Sequence, residues 1–179
     1  MDLESARVVM LVEDGYEDLE LWYPYYRLQE AGAAVCLVGP RRRDYRGKHG
    51  YVARADHAAT DLDGDAFDGI VVPGGHAPDR LRRHEAVLAL VRAADANRRL
   101  VGAICHGGSV LVSADILRGR RVTSYVSIRD DLRNAGATWI DAPVVRDGHI
   151  VTSRHPGDLP GFARTLIEVL GARHEPVVA

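Results

Sequence analysis

The chain has 179 residues, enough for one domain that buries a sizeable core. With 46% hydrophobic and 27% charged residues it has the make-up of a soluble globular protein, and a formal net charge of -2 gives no reason to expect nucleic acid or an anionic membrane as partner. No stretch approaches the ~20 apolar residues of a membrane span, and Asp2 and Glu4 stand where a secretory signal would carry positive charge. Two cysteines without a secretory context do not make a disulfide framework, so the expected compartment is the reducing cytoplasm.

In chain order, short apolar runs alternate with helical patterns. Ala6 to Val12 reads as a buried strand. Glu17 to Gly32 has apolar residues at helical spacing, Gly32 as a stop, and Pro24 as a point where a kink or break is expected. Ala33 to Gly39 is a second strand, and residues 40–66 are turn-rich, fit for small strands. Asp68 to Gly75 is a third strand running into a Pro-Gly-Gly turn, and Glu85 to Asn97 is an amphipathic helix. Arg99 to Ile104 is the fourth strand, and Gly107 to Leu117 the helix after it. Then come Arg121 to Tyr125, a polar helix near Ile128 to Gly136, a hairpin turned by Asp147-Gly148, and a last helix with Asp158 as N-cap and Gly171 as C-cap. A single domain over residues 1–172 with a loose tail over 173–179 is the expected organisation. The alternation implies an α/β fold around a mostly parallel sheet, whose ligands bind at the carboxyl ends of the strands.

The chemistry-bearing residues fall at that edge. Cys105 ends the run VGAI and is followed by His106, Gly107 and Gly108. A cysteine at a sharp strand-to-helix turn projects its sulfur into the open; the glycines permit the turn, and the helix behind it favours thiolate. The bland alternative is a buried structural thiol, which is the reading given to Cys36 in mid-strand. His106 fits a general base or a cation beside the thiolate. Glu17, at the start of the first long helix, either complements the helix dipole or leans toward Cys105 with a raised pKa; Asp14 and Asp18 compete for that role. Gly74 and Gly75 offer backbone N–H groups to a developing oxyanion, or simply end a strand. No G-x-G-x-x-G, no P-loop and no metal-ligand spacing is present, so no cofactor and no metal is expected.

These pieces in combination resemble the ThiJ/PfpI family of the class I glutamine amidotransferase-like superfamily. The resemblance is carried by DGYEDLEL (Asp14 to Leu21), VVPGGHAPDRLR (Val71 to Arg82), AICHGGSVLVSADILRGRRVTSY (Ala103 to Tyr125) and VTSRHPGDLPGF (Val151 to Phe162). It implies a flavodoxin-like α/β/α sandwich with the cysteine on a nucleophile elbow. By that resemblance Cys105 is the nucleophile, His106 its neighbour and Glu17 the glutamate that hydrogen-bonds it. Gly75 with the His106 backbone forms the oxyanion site beside Gly74 and Gly107, and Tyr125 borders the pocket. Asp79 stands where PfpI-like relatives carry the glutamate that completes a Cys-His-acid set from a neighbouring subunit, and His76 where arginine is usual.

The resemblance implies a cysteine-dependent enzyme acting on small reactive carbonyls such as methylglyoxal or on their protein and peptide adducts. The alternatives are a cysteine peptidase that depends on oligomerisation, a redox-sensing stress protein or chaperone, and an isonitrile hydratase-like or biosynthetic enzyme. A glutaminase is disfavoured, because no H-x-E follows near the C-terminus. Trp22 to Tyr26 reads as a packing or subunit-interface patch, which fits a dimer or hexamer. Arg41 to Lys48, holding the only lysine, reads as a solvated loop, and His155 is given no role.

Overall fold

Runs of Val, Ile and Leu bounded by turn residues pair side by side, and the longer amphipathic segments between them cover the sheet. The computed structural model describes residues 3–174. In order, the elements are β1 (Arg7–Leu11), α1 (Asp18–Glu30), β2 (Ala34–Gly39), β3 (Asp44–Arg46), β4 (Val52–Arg54), β5 (His57–Ala58), β6 (Gly69–Val72), α2 (Ala77–Leu81), α3 (Glu85–Ala96) and β7 (Leu100–Ile104). There follow α4 (Gly108–Ser113), β8 (Arg121–Val122), α5 (Arg129–Asn134), β9 (Thr138–Trp139), β10 (Val144–Asp147), β11 (Ile150–Ser153) and α6 (Leu159–His174).

Seven strands form one sheet in the order β10-β11-β7-β6-β1-β2-β5. Every neighbouring pair is parallel except β10 with β11. Parallel strands covered on both faces are buried throughout, and β6 and β7 are buried at every position. Helices flank the sheet: α1 packs on α6, and α3 packs on α4. This is the flavodoxin-like α/β arrangement. β1 lies between β2 and β6, so the chain leaves it toward one side and returns on the other. Such a switch point opens a crevice at the strands' carboxyl ends. The loops after β1, β6 and β7 border it.

Several local expectations change. Of the kink or break expected at Pro24, the break does not occur: α1 runs on through it, without the N–H that would have bonded the Glu20 carbonyl. α4 stops at Ser113, and Asp115 then takes φ 57°, which ends the helical path well before Leu117. α2 was not legible as a helix: five residues carry too little periodicity. The hairpin turns on Gly148-His149, one residue later than expected, since Asp147 pairs with Ile150 and Gly148 takes φ 61°. Asp158 accepts from the Arg154 guanidinium. α6 runs past Gly171 and past the boundary at 172 to His174, while residues 175–179 lie outside the described ones. Among the described residues no helix is long and apolar enough to cross a membrane.

Candidate active site

β7 delivers Cys105 to the crevice on a strained backbone. Its φ is 59°, one of three positive values among the described non-glycine residues. Strain of this kind costs about 1–3 kcal/mol and persists where the surroundings impose it. One such constraint is Gly107: a Cβ there would lie 2.4 Å from the Val72 carbonyl oxygen, so the chain after the cysteine passes directly over the end of β6. Gly108 is not needed in this way, because a Cβ there would meet only Ile128 and Leu132 at ordinary contact, 3.4 Å. The turn therefore resembles a nucleophile elbow in which the cysteine carries the strained conformation and one glycine supplies the clearance. The backbone N–H groups of His106 and Gly75 donate toward the sulfur.

The acid beside the sulfur is Glu20. This corrects the placement expected for Glu17. Glu17 caps α1, and its carboxylate is taken by Lys48 Nζ at 3.2 Å and His49 Nε2 at 3.3 Å. Asp14 and Asp18 are also occupied, Asp14 by Arg43 and the Arg46 N–H, Asp18 by the N–H groups of His49 and Tyr51. One turn into the helix, Glu20 is fully buried and its Oε2 accepts the Gly74 N–H at 2.8 Å. Its Oε1 is buried with no conventional partner, and the carboxyl couples to the Cys105 thiol. The signal was available: buried positions 20, 24 and 28 lie on one face of α1, so Glu20 is a carboxyl group at a core position of an amphipathic helix.

Burial pushes the Glu20 carboxyl up to about 7, with the Glu17 charge adding to it. Burial first, and the Glu20 charge second, push the Cys105 thiol up to about 12, against the pull of the His106 and Gly75 N–H groups. The two groups form one proton-sharing pair. A proton on Glu20 removes the charge that opposes thiolate and leaves the two amide donors to favour it.

His106 Nδ1 lies 3.2 Å from the Cys105 sulfur, and Nε2 lies 3.0 Å from Ser127 Oγ. Burial, then the charges of His76 and Lys48, lowers its pKa, so the ring is neutral at pH 7. The Tyr125 ring stacks on it with centroids 5.1 Å apart. Asp79 is exposed on α2, and among the described residues neither it nor another carboxylate lies within ion-pair distance of His106.

Cys105, His106, Glu17, Glu20, Gly75, His76, Asp79 and Tyr125 all line one cavity of about 730 Å³. The same cavity is lined by charged and titratable residues that the sequence had not marked, Lys48, Arg80, Arg82 and His155 among them. Lys48 corrects the reading of Arg41 to Lys48 as merely solvated. Tyr45 and Gly47 are buried, the Lys48 N–H donates to the Tyr16 carbonyl, and the ammonium reaches into the site. Arg41 and Arg42 remain exposed. Glu17, Asp18 and His49 are close enough to suggest a metal cluster, but hydrogen bonds and ion pairs already engage both acids.

A cysteine of positive φ at a sharp strand-to-helix turn of a flavodoxin-like sheet, with a buried carboxyl beside it, is the candidate site of this α/β protein. The DJ-1/PfpI family pattern matches residues 6–169. A relative from Thermococcus kodakarensis named Deglycase TK1284 is 46% identical over 164 residues, covering 92% of this chain and 99% of the relative. A relative from Bacillus subtilis named Putative cysteine protease YraA is 41% identical over 167 residues, covering 93% and 99%. Among solved structures, a two-domain protein from Anabaena variabilis with DJ-1/ThiJ/PfpI-like and ferritin-like domains superposes with a TM-score of 0.92 at 39% identity. The match covers 93% of this chain and 48% of that one. The chain belongs to the DJ-1/PfpI family, and the names of these relatives support an enzymatic activity of the deglycase or protease-like kind.

Proposed function

We propose that the chain is a cysteine-dependent deglycase-like enzyme that acts on methylglyoxal and its adducts with amines and thiols. The observation that carries this reading is the Cys105 sulfur facing two amide N–H groups and the buried Glu20 carboxyl inside one cavity. The thiolate attacks the aldehyde carbon, the C–S bond forms, and the carbonyl oxygen takes the Glu20 proton to give a hemithioacetal. With an adduct, whose carbon already bears the hydroxyl, the thiolate displaces the carrier as its bond to that carbon breaks, and the Glu20 proton goes to the carrier, which leaves as the free amine or thiol. His106, neutral and beside the sulfur, takes the proton from the same carbon; a proton returns to the adjacent carbon, giving a thioester. Water then cleaves the C–S bond. The balance is methylglyoxal plus water to lactate, with no oxidant or reductant. The N–H groups of Gly75 and His106 hold the developing oxyanion. Glu17 orders Lys48 at the rim.

A peptidase would need an acid behind His106, and Asp79 does not supply one within the chain. The exposed Tyr26 and Tyr51 rings, both in contact with Trp22, support self-association.

The test is lactate formation from methylglyoxal and release of free thiol from its hemithioacetals. Cys105→Ser is expected to lower turnover by at least ~10³-fold, the scale seen when a nucleophile is removed, with the fold retained by circular dichroism. Turnover that survives in Cys105→Ser, or none in the wild type, would overturn the reading.

A further inference from the structure

We propose that the cavity selects adducts whose carrier bears a carboxylate or phosphate, and that the Arg82 guanidinium reads this anion. The inference rests on the deglycase-like reading above and names its substrate class.

Arg82 follows α2 and is half-buried. Its Nε donates to Ser113 Oγ on α4 at 2.8 Å, which fixes the plane of the guanidinium between the two helices. Among the described residues no carboxylate lies within ion-pair distance of it, although every other half-buried arginine engages an acid: Arg27 with Glu30, Arg92 with Glu85, Arg99 with Asp65, Arg120 with Asp95, Arg129 with Asp130 and Arg154 with Asp158. Arg82 is thus an anchored cation without an internal counter-charge on the wall of the cavity that holds Cys105. Its terminal NH₂ groups remain for a planar anion, and a fork held in advance loses little freedom on binding one.

The charges around it are consistent with that use. Lys48 on the same cavity is already engaged by Glu17. Arg80, also on that wall, donates to the Asp14 carbonyl and likewise has no carboxylate partner among the described residues. Asp79, exposed on the same cavity, forms an ion pair with neither arginine among the described residues. Cys105 and Glu20 line the same cavity as Arg82. A substrate that presents a reactive carbonyl to Cys105 and an anion to Arg82 matches this arrangement.

The test compares methylglyoxal hemithioacetals of three thiols of one length: 3-mercaptopropionate, 2-mercaptoethanol and cysteamine. The carboxylate adduct is expected to exceed the neutral one in kcat/KM by about tenfold, the scale of a charge-assisted hydrogen bond, and the ammonium adduct to fall below both. Arg82→Gln is expected to bring the carboxylate-to-neutral ratio within about twofold, and Ser113→Ala, which releases the guanidinium from its anchor, to lower it partway. Equal rates for all three adducts, or a preference that Arg82→Gln leaves intact, would overturn the assignment. If no adduct is consumed in a Cys105-dependent way, the deglycase reading fails by itself. Alkylation of Cys105 by iodoacetate against iodoacetamide then decides: a ratio lowered by Arg82→Gln supports the anion site, and an unchanged ratio overturns it.

Discussion

Glu20→Gln is expected to lower turnover of methylglyoxal by ~10²-fold or more while making Cys105 react faster with iodoacetamide above pH 7, since general acid–base groups contribute about 10²–10⁴. The two effects have opposite sign because Glu20 does two things. It moves the proton during the reaction, which an amide cannot. It also opposes thiolate once ionised, as the second cause of the raised Cys105 pKa, and the amide carries no charge. Gln keeps the acceptor for the Gly74 N–H and can donate to the sulfur. The same substitution changes stability. Burial raises the folded pKa of Glu20 from 4.5 to about 7. Between those values the native state holds a proton that the unfolded chain has released, so stability falls as pH rises through the window and the loss is complete above about 7. A shift of this size corresponds to about 3 kcal/mol. Glu20→Gln escapes that loss, so its melting temperature should exceed the wild type's at pH 8 and match it near pH 4. Slower alkylation together with an unchanged melting temperature would remove Glu20 from the role given to it here.

The contrast between Glu17 and Glu20 shows what the sequence could and could not convey. The main strands, the long helices, the sheet type and the sharp turn at Cys105 were legible, because each follows from local apolar runs and punctuating glycines. Which of four clustered acids meets the sulfur depends on the rotation of α1 against the sheet. That rotation is set by burying positions 20, 21, 24 and 28, not by which acid comes first. Counting from the helix start favoured Glu17; asking which acid lies on the apolar face would have selected Glu20. Lys48 was obscured for another reason. It arrives from β3 and β4, a small ribbon outside the main sheet, and its approach rests on long-range pairs such as the Gly15 N–H to the Arg46 carbonyl. Its one local mark was being the only lysine in the chain. Arg82 carries no local mark at all: its meaning is the lack of an acid around it, which only the packed structure reveals.

Gly75→Ala should be the most damaging single methyl in the site. Gly75 takes φ 79°, where an L side chain costs about 1–2 kcal/mol. Space is the larger obstacle: an added Cβ would stand 2.4 Å from the Gly15 carbonyl oxygen and 2.5 Å from the Glu17 nitrogen, both backbone atoms. Neither can swing aside, because the Tyr16–Gly75 bridge and the His76 N–H to the Gly15 carbonyl bind the two loops together. Relief requires the β1–α1 loop to separate from the β6–α2 turn, at a further ~1–3 kcal/mol typical of overpacking. That separation draws Glu17 and α1, and with it Glu20, away from Cys105, and turns the Gly75 N–H off the sulfur. The loss of one oxyanion donor alone is worth about 10²–10³ in kcat. Gly148→Ala isolates the backbone contribution, since Gly148 takes φ 61° with no atom within 4 Å of the added Cβ. It should destabilise by about 1 kcal/mol and leave turnover at the wild-type level. Denaturant midpoints and methylglyoxal turnover for the pair distinguish the two costs. Equal destabilisation would mean that φ alone sets the price at both positions. A Gly75→Ala protein of normal activity would mean that the coupling of the two loops does not hold the catalytic geometry.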